Sequence, residues 1–319
     1  MAVRVIRAGL LTTIQDRGRW GYQSHGVSAS GPMDPLSHQA ANALVGNGPD
    51  AGLLEVTIVG PHLEFDDARD VAVCGAVFDL AVAGVRMPAN EVFHVGAGQT
   101  LSFGERRRGT RAYVAIAGGI ETPRVLGSRA THLVSRLGGP GNNGGRALKA
   151  GDVLPLGDVR EDSTATRTAV RPRAWVRPPA PPSAIGGVRV RVLPGPHADW
   201  FSRESLEVLQ SAPYRISAES DRIGYRLEGR RLVSREGPFV SDATAFGAIQ
   251  VPSSGQPILL MADRQTTGGY PTIATVISAD HPVVGQLGPG DHLSFVECTR
   301  AEAIAALGVQ RRALRELAP

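Results

Sequence analysis

The sequence predicts a mainly β protein made of two β-barrel-like halves, and three observations carry that expectation. Short apolar or alternating runs recur with turn residues between them, roughly every 8–12 residues, the spacing of sandwiches and barrels. The 319 residues include 39 glycines and 23 prolines but only 5% aromatics, a mixture that favours short strands and turns over long helices. A stretch rich in Arg, Pro, Thr and Ala runs from Asp158 to Pro182 and ends Arg177-Pro178-Pro179-Ala180-Pro181-Pro182. Such a stretch cannot bury enough apolar surface to fold alone, so it reads as an exposed linker. It divides the chain into a half at 1–157, a linker at 158–186 and a half at 187–319.

In the first half Val3-Arg4-Val5-Ile6 alternates and Leu10 to Ile14 follows it. Further strands are expected at Leu53 to Ile58, Val71 to Cys74, Phe78 to Val82, Thr100 to Phe103 and Arg111 to Ile116. The second half repeats the style at Val188 to Leu193, Tyr214 to Ser217, Gly247 to Val251, Ile258 to Met261, Ile273 to Ile277 and His292 to Val296. Helices are few. Over Asp34 to Val45, Asp34 can cap, Pro35 suits the first turn, and Leu36, Ala40, Ala43 and Leu44 mark one face. Trp200 to Gln210, with Asp199 as its cap, is a second helix, and Arg300 to Leu307 with Gln310 to Leu317 form a C-terminal pair. Gly96 to Phe103 resembles Gly288 to Phe295, and Ala150 to Leu156 is a looser copy, a pattern compatible with duplication.

Composition excludes several chemistries. The net charge is +4, yet the positive charge is nearly all arginine spread along the chain. Arg106-Arg107-Arg108 and Arg230-Arg231 are tight runs, and no aromatic ladder accompanies them, which argues against nucleic acid as a partner. Lys149 is the sole lysine and follows no G-x-x-x-x-G-K-[ST] motif, so Schiff-base, P-loop and biotinyl-lysine chemistry would have to come from another chain. Cys74 and Cys298 lie far apart in apolar strand-like runs and read as buried free thiols. There is no C-x-x-C, no H-E-x-x-H and no clustered His pair, so no metal site is expected. Met1 to Leu11 lacks a signal pattern and no apolar run reaches the ~18 residues of a membrane span, which leads to the expectation of a cytoplasmic protein.

Two dense polar-glycine blocks look built to hold a small polar ligand in a site shared by the halves. In Gly26-Val27-Ser28-Ala29-Ser30-Gly31-Pro32-Met33-Asp34, Ser28 and Ser30 offer hydroxyls just before a helix N-terminus. His25, immediately upstream, is an acid–base candidate. In Asp263-Arg264-Gln265-Thr266-Thr267-Gly268-Gly269-Tyr270-Pro271, Arg264 offers a planar fork for a carboxylate or phosphate. Thr266 and Thr267 add hydroxyls, Gly268 and Gly269 let the backbone approach closely, and Tyr270 restarts a strand. Asp221-Arg222 repeats the Asp-Arg signature before Gly224-Tyr225, and Gly118-Gly119 end a strand. The alternative reading of Asp263-Arg264 is a structural pair in a tight turn. Gly138 to Arg146 reads equally as a phosphate loop, a flexible lid or a plain turn.

Five motifs in order resemble one known family: Gly26 to Asp34, Ala117-Gly118-Gly119-Ile120, Leu126-Gly127-Ser128-Arg129, Ser220 to Gly229 and Ala262 to Pro271. Together they resemble the C subunits of 5-oxoprolinase, also called allophanate hydrolase subunit 2 or KipA-like proteins. That family is similar to the carboxyltransferase domain of biotin-dependent urea carboxylase. Ile223 stands where the family pattern usually has Met. The resemblance implies two cyclophilin-like β-barrel subdomains with an active cleft between them. It implies the 5-oxoprolinase B component (KipI-like) and A component (LamB/YcsF-like) as partners in a hetero-oligomer. It also implies ATP, shared with a partner, and the reaction of 5-oxoproline, ATP and water to glutamate, ADP and phosphate. In that picture Arg264 meets the substrate carboxylate or a transferring phosphoryl group, and Asp263 or Asp221 acts as base or orients an arginine. Arg222, Thr266, Thr267, Gly268, Gly269, Tyr270, Gly118, Gly119, Ser28 and Ser30 contact substrate. Two alternatives stand beside it: carboxyl transfer to urea or another small amide with biotin supplied in trans, and a KipA-like regulator that binds a KipI-like kinase inhibitor.

Overall fold

A computed structural model describes residues 1–141, 144–159, 187–235, 237 and 239–317. The linker expected at 158–186 therefore lies, from residue 160 onward, outside the described residues. Two compact units emerge. Of the described residues, the first comprises those in 1–19, 30–159 and 311–317, and the second those in 20–29 and 187–310. Segments 20–29 and 311–317 thus group with the unit opposite to the half in which the linear division placed them.

The first unit contains β1 (Ala2–Arg7), β2 (Leu11–Gln15), α1 (Pro35–Leu44), β3 (Leu53–Thr57), β4 (His62–Phe65), β5 (Arg69–Val82), β6 (Val85–Met87), β7 (Val92–Val95), β8 (Thr100–Ile116) and β9 (Val153–Pro155). Its sheet runs β2-β3-β8-β4-β1-β9, with β5 joined to β6, β7 and β8. This is a branched nine-stranded half-barrel, in line with the barrel-like half expected from the sequence. The four separate runs expected between Val71 and Ile116 are the two long strands β5 and β8, paired from Val71↔Ile116 to Val82↔Leu101. Their middles escape pattern reading because the register shifts after Gly75 and because Glu105 to Arg107 face solvent without apolar alternation.

Strand β3 is buried at every position, because both faces of the sheet are covered. Leu54 and Val56 join Val3, Leu63, Phe65, Val114 and Ile116 on one side. Leu53 joins Ala72, Cys74, Tyr113 and Ala115 on the other, under Ala40, Ala41 and Val45 of the α1 segment and under Leu314 and Leu317. Helix α1 starts where the sequence places it, since Asp34 accepts from the backbone N–H groups of Leu36 and Ser37 at 3.1 and 3.0 Å.

The second unit contains β10 (Val188–Pro194), α2 (Arg203–Ser211), β11 (Tyr214–Ile216), β12 (Gly224–Glu228), β13 (Asp242–Ala243), β14 (Ala248–Gln250), β15 (Ile258–Leu260), β16 (Thr267–Gly268), β17 (Thr272–Val276), α3 (His281–Gly285), β18 (His292–Glu297) and α4 (Arg300–Arg315). Seven strands close a barrel in the order β10-β17-β14-β15-β12-β11-β18, and the parallel pair β10–β18 completes the ring. Strands β13 and β16 form a separate two-stranded ribbon. Ser202 rather than Asp199 caps α2: its Oγ accepts from the Ser205 N–H, and residues 198–200 form a 3₁₀ turn instead. The expected C-terminal helix pair is one continuous α4, which carries Gly308 in its interior without a break. Among the described residues no helix is long and apolar enough to cross a membrane.

Candidate functional site

In the second unit the two Asp-Arg dipeptides meet, and Arg222 of one pairs with Asp263 of the other. Strand β15 ends at Leu260 and delivers Asp263, whose N–H donates to the Arg222 carbonyl at 2.8 Å. The side chains close the same contact: Arg222 Nε and Nη2 donate to Asp263 Oδ2 and Oδ1 at 2.9 and 3.0 Å, with only 5% and 4% exposed. A buried bidentate pair of this kind fixes both groups and leaves the Asp263 carboxylate unsuited to accept a substrate proton. Asp263 therefore orients Arg222. Asp221 is exposed, and its Oδ1 accepts from the N–H groups of Ile223 and Gly224, so it shapes the turn that starts β12.

Arg264 is placed differently. It is 9% exposed, and Nη1 reaches the Met261 carbonyl only at 3.5 Å. Its Nε is buried without an acceptor among the described residues. Burial pushes the guanidinium below its ordinary pKa, opposed by the Asp263 charge. Its Cζ lies 6.0 Å from the centre of the Phe246 ring, and that ring stacks on His281 at 4.2 Å and 17°. Burial holds His281 neutral, with a pKa lowered to about 4, and among the described residues its Nε2 has no hydrogen-bond partner. Gly247 permits this closeness, since a Cβ there, at φ 86°, would stand 3.0 Å from His281 Nε2.

The loop after Arg264 is tied to the segment at Thr244. The Thr244 N–H donates to the Thr266 carbonyl at 3.0 Å, and the Thr244 hydroxyl donates to the Gln265 carbonyl. Thr267 and Gly268 form β16, with the Thr267 side chain exposed and Gly268 buried against Gln250. Gly269 and Tyr270 are exposed, and the Tyr270 carbonyl accepts from Gln250 Nε2 at 3.3 Å. Segment 20–29 of this unit carries Ser28, which is buried, and His25, which is exposed at the end of a 3₁₀ turn with Nδ1 3.3 Å from Ser24 Oγ.

In the first unit Ser30 is buried with φ 56°, and its hydroxyl donates to the Thr131 carbonyl at 3.0 Å. Around it lies a buried polar array that motif reading missed. Tyr113 O–H donates to Glu55 at 2.8 Å and accepts from the Asp34 N–H at 2.7 Å, while the Met33 N–H donates to Glu55 at 2.9 Å. Asp16 accepts from the Gly18 and Arg129 N–H groups and from the Ser128 hydroxyl. Gln15 Nε2 joins Ser30 on the Thr131 carbonyl. His38 is fully buried and held neutral, its pKa lowered to about 4 chiefly by desolvation. Desolvation and the Glu55 and Asp34 charges push the Tyr113 phenol upward. One signal for this array was available: Asp16-Arg17 ends a strand as Asp263-Arg264 does.

Gly118 and Gly119 have other neighbours. Gly118 donates to Asn47 Oδ1 at 2.9 Å, and a Cβ on it would stand 2.2 Å from the Gly157 carbonyl oxygen. The Gly119 carbonyl accepts from Gly157 N–H at 3.1 Å. Both glycines serve a close backbone approach, with φ 92° and 71°. Among the described residues no cluster of three or more His, Cys, Asp or Glu side chains is disposed to hold a metal ion.

The comparisons with known proteins agree with this architecture. The family model for the carboxyltransferase domain, subdomains A and B, matches residues 25–297. The 5-oxoprolinase C subunit of Escherichia coli (strain K12) is 39% identical over 99% of this chain and 97% of its own length. That of Haemophilus influenzae is 35% identical over 91% of this chain and 89% of its own. The crystal structure of the Kluyveromyces lactis urea carboxylase superposes with a TM-score of 0.89 at 30% identity, covering 99% of this chain but 29% of the larger one. This chain belongs to the carboxyltransferase domain family, subdomains A and B, alongside the C subunits of 5-oxoprolinase.

Proposed function

We propose that this chain is the C subunit of an ATP-dependent 5-oxoprolinase, a cytoplasmic hetero-oligomer that converts 5-oxoproline, ATP and water to glutamate, ADP and phosphate. The observation that carries the reading is the 39% identity to a 5-oxoprolinase C subunit across nearly the full length of both chains. The B component (KipI-like) and the A component (LamB/YcsF-like) complete the activity, and the isolated chain is inactive. Arg264 receives the substrate carboxylate or the transferring phosphoryl group. Asp263 holds Arg222 beside it, and the backbone around Thr266, Thr267, Gly268 and Gly269 orients the substrate. ATP enters as co-substrate, and no part of its site is assigned to this chain. The sole lysine, Lys149, is exposed, with its N–H engaged by Asp152 at 2.8 Å.

Similarity to the urea carboxylase structure favours one second reading, carboxyl transfer to urea or another small amide from a biotin carried by a partner. One experiment separates the two. Release of ADP and glutamate from 5-oxoproline is measured with the chain alone, with its A and B partners, and with avidin added. Turnover confined to the mixture and indifferent to avidin is the expected result. A stable complex with no turnover, or turnover abolished by avidin, moves the assignment to carboxyl transfer.

A further inference from the structure

Among the described residues of the second unit, the charges do not cancel where Arg264 lies. The two dipeptides bring together two arginines and two aspartates, but Asp221 is spent on a turn and Asp263 on Arg222. Arg264 keeps its positive charge at 9% exposure with one long contact to the Met261 carbonyl. An arginine cannot shed its proton to relieve this, and a buried charge without a counter-ion is costly. We propose that Arg264 is a preformed subsite for a compact carboxylate monoanion, held end-on at the Nη1 and Nη2 groups. The inference rests on the reading above in taking Arg264 as the ligand-binding cation, and it adds the charge class and the mode of approach.

Two features select that class. The Nε edge is closed, being buried with no acceptor among the described residues, so the side-on fork is not offered and the ligand meets the Nη end. Among the described residues one positive charge is left without a paired carboxylate, and a single negative charge balances it. A phosphate group carries about −1.5 to −2 near neutral pH and would leave excess negative charge beside Asp263. Phe246, which the guanidinium approaches at 6.0 Å, supplies an apolar wall that suits the hydrocarbon part of a carboxylic acid better than a second ionic group.

The test uses the full chain alone, at constant ionic strength, with acetate, 5-oxoproline and inorganic phosphate as probes. Thermal unfolding and the side-chain NMR signal of Arg264 are followed against probe concentration. Acetate and 5-oxoproline should raise the melting temperature saturably and shift the Arg264 signal, while phosphate should bind at least tenfold more weakly. Arg264→Gln should unfold cooperatively without loss of melting temperature and should lose the acetate response at least tenfold. The Arg264 signal of the unaltered chain keeps the test decisive if that variant misfolds. No saturable acetate effect, an equal effect in Arg264→Gln, or tighter phosphate binding would overturn the proposal. Failure of turnover with acetate binding intact would instead count against the 5-oxoprolinase reading.

Discussion

Replacing Asp263 by Ala should be among the most damaging single changes in the second unit. The substitution removes both hydrogen bonds to Arg222, at 2.9 and 3.0 Å, from a pair whose side chains are 5% and 4% exposed. At an effective dielectric near 20, opposite charges ~4 Å apart attract by about 4 kcal/mol. Breaking a buried pair from one side costs about 3–5 kcal/mol, because the remaining charge stays buried. Asp263 is also the charge that acts on Arg264, so its loss leaves two cations without it. For a unit of this size 1 kcal/mol moves the melting temperature by roughly 4 °C, so a drop of roughly 10–20 °C is expected. The double replacement Arg222→Met, Asp263→Leu removes both charges at once and should recover at least half of that loss. Urea unfolding followed by Trp200 fluorescence, in a Trp20→Phe, Trp175→Phe background, reads the second unit directly. A single-variant cost below about 1 kcal/mol, with no coupling in the double-mutant cycle, would refute the argument.

Two further outcomes are expected in the first unit. Gly118→Ala should cost roughly 2–4 kcal/mol in chemical unfolding, because φ is 92° and the new Cβ would stand 2.2 Å from the Gly157 carbonyl oxygen, so an unaffected midpoint would contradict the assignment. For His38 the folded pKa, about 4, lies below the unfolded value of 6.5, so the unfolded chain binds the extra proton between them. Stability is then full above pH 6.5 and falls by roughly 3 kcal/mol as pH drops toward 4. His38→Gln should flatten that slope, and an imidazole signal titrating near 6.5 in the folded chain would contradict it.

Much of the fold was legible because several strands follow simple alternation, as in Val3 to Ile6 and Val188 to Leu193. Legibility failed where tertiary context sets the pattern. Strand β3 is buried on both faces, so Glu55 sits in an unbroken buried run and shows no sign of its bond to Tyr113. The middle of β8 is an exposed run of charge, which reads as loop from sequence alone. His62 to Phe65 and Val92 to Val95 are only four residues long and carry too few alternations to stand out. At the site, the motifs singled out Arg222, Asp263 and Arg264, but the pairing of Arg222 with Asp263 across the two dipeptides is a long-range fact. His281 and Phe246 were invisible for the same reason: nothing local to either predicts that their rings stack.

Three Asp-Arg dipeptides in this chain show why residue type alone does not define a role. Asp16 fixes the segment at Ser128 and Arg129, Asp221 caps its own turn, and Asp263 neutralises the arginine of a different dipeptide. Asp16 and Asp263 accept at both carboxylate oxygens from donors already in place, whereas exposed Asp221 takes its two backbone donors on Oδ1 alone. What the two dipeptides of the second unit leave over is the Arg264 cation, and its position next to a fully spent carboxylate is what makes it available. Stability and ligand binding are therefore separable in this unit: changes at Arg222 or Asp263 strike the fold, whereas changes at Arg264 remove a charge that the fold itself does not neutralise. A variant series that failed to separate along that line, with Arg264→Gln as destabilising as Asp263→Ala, would mean that the guanidinium is held by the protein after all.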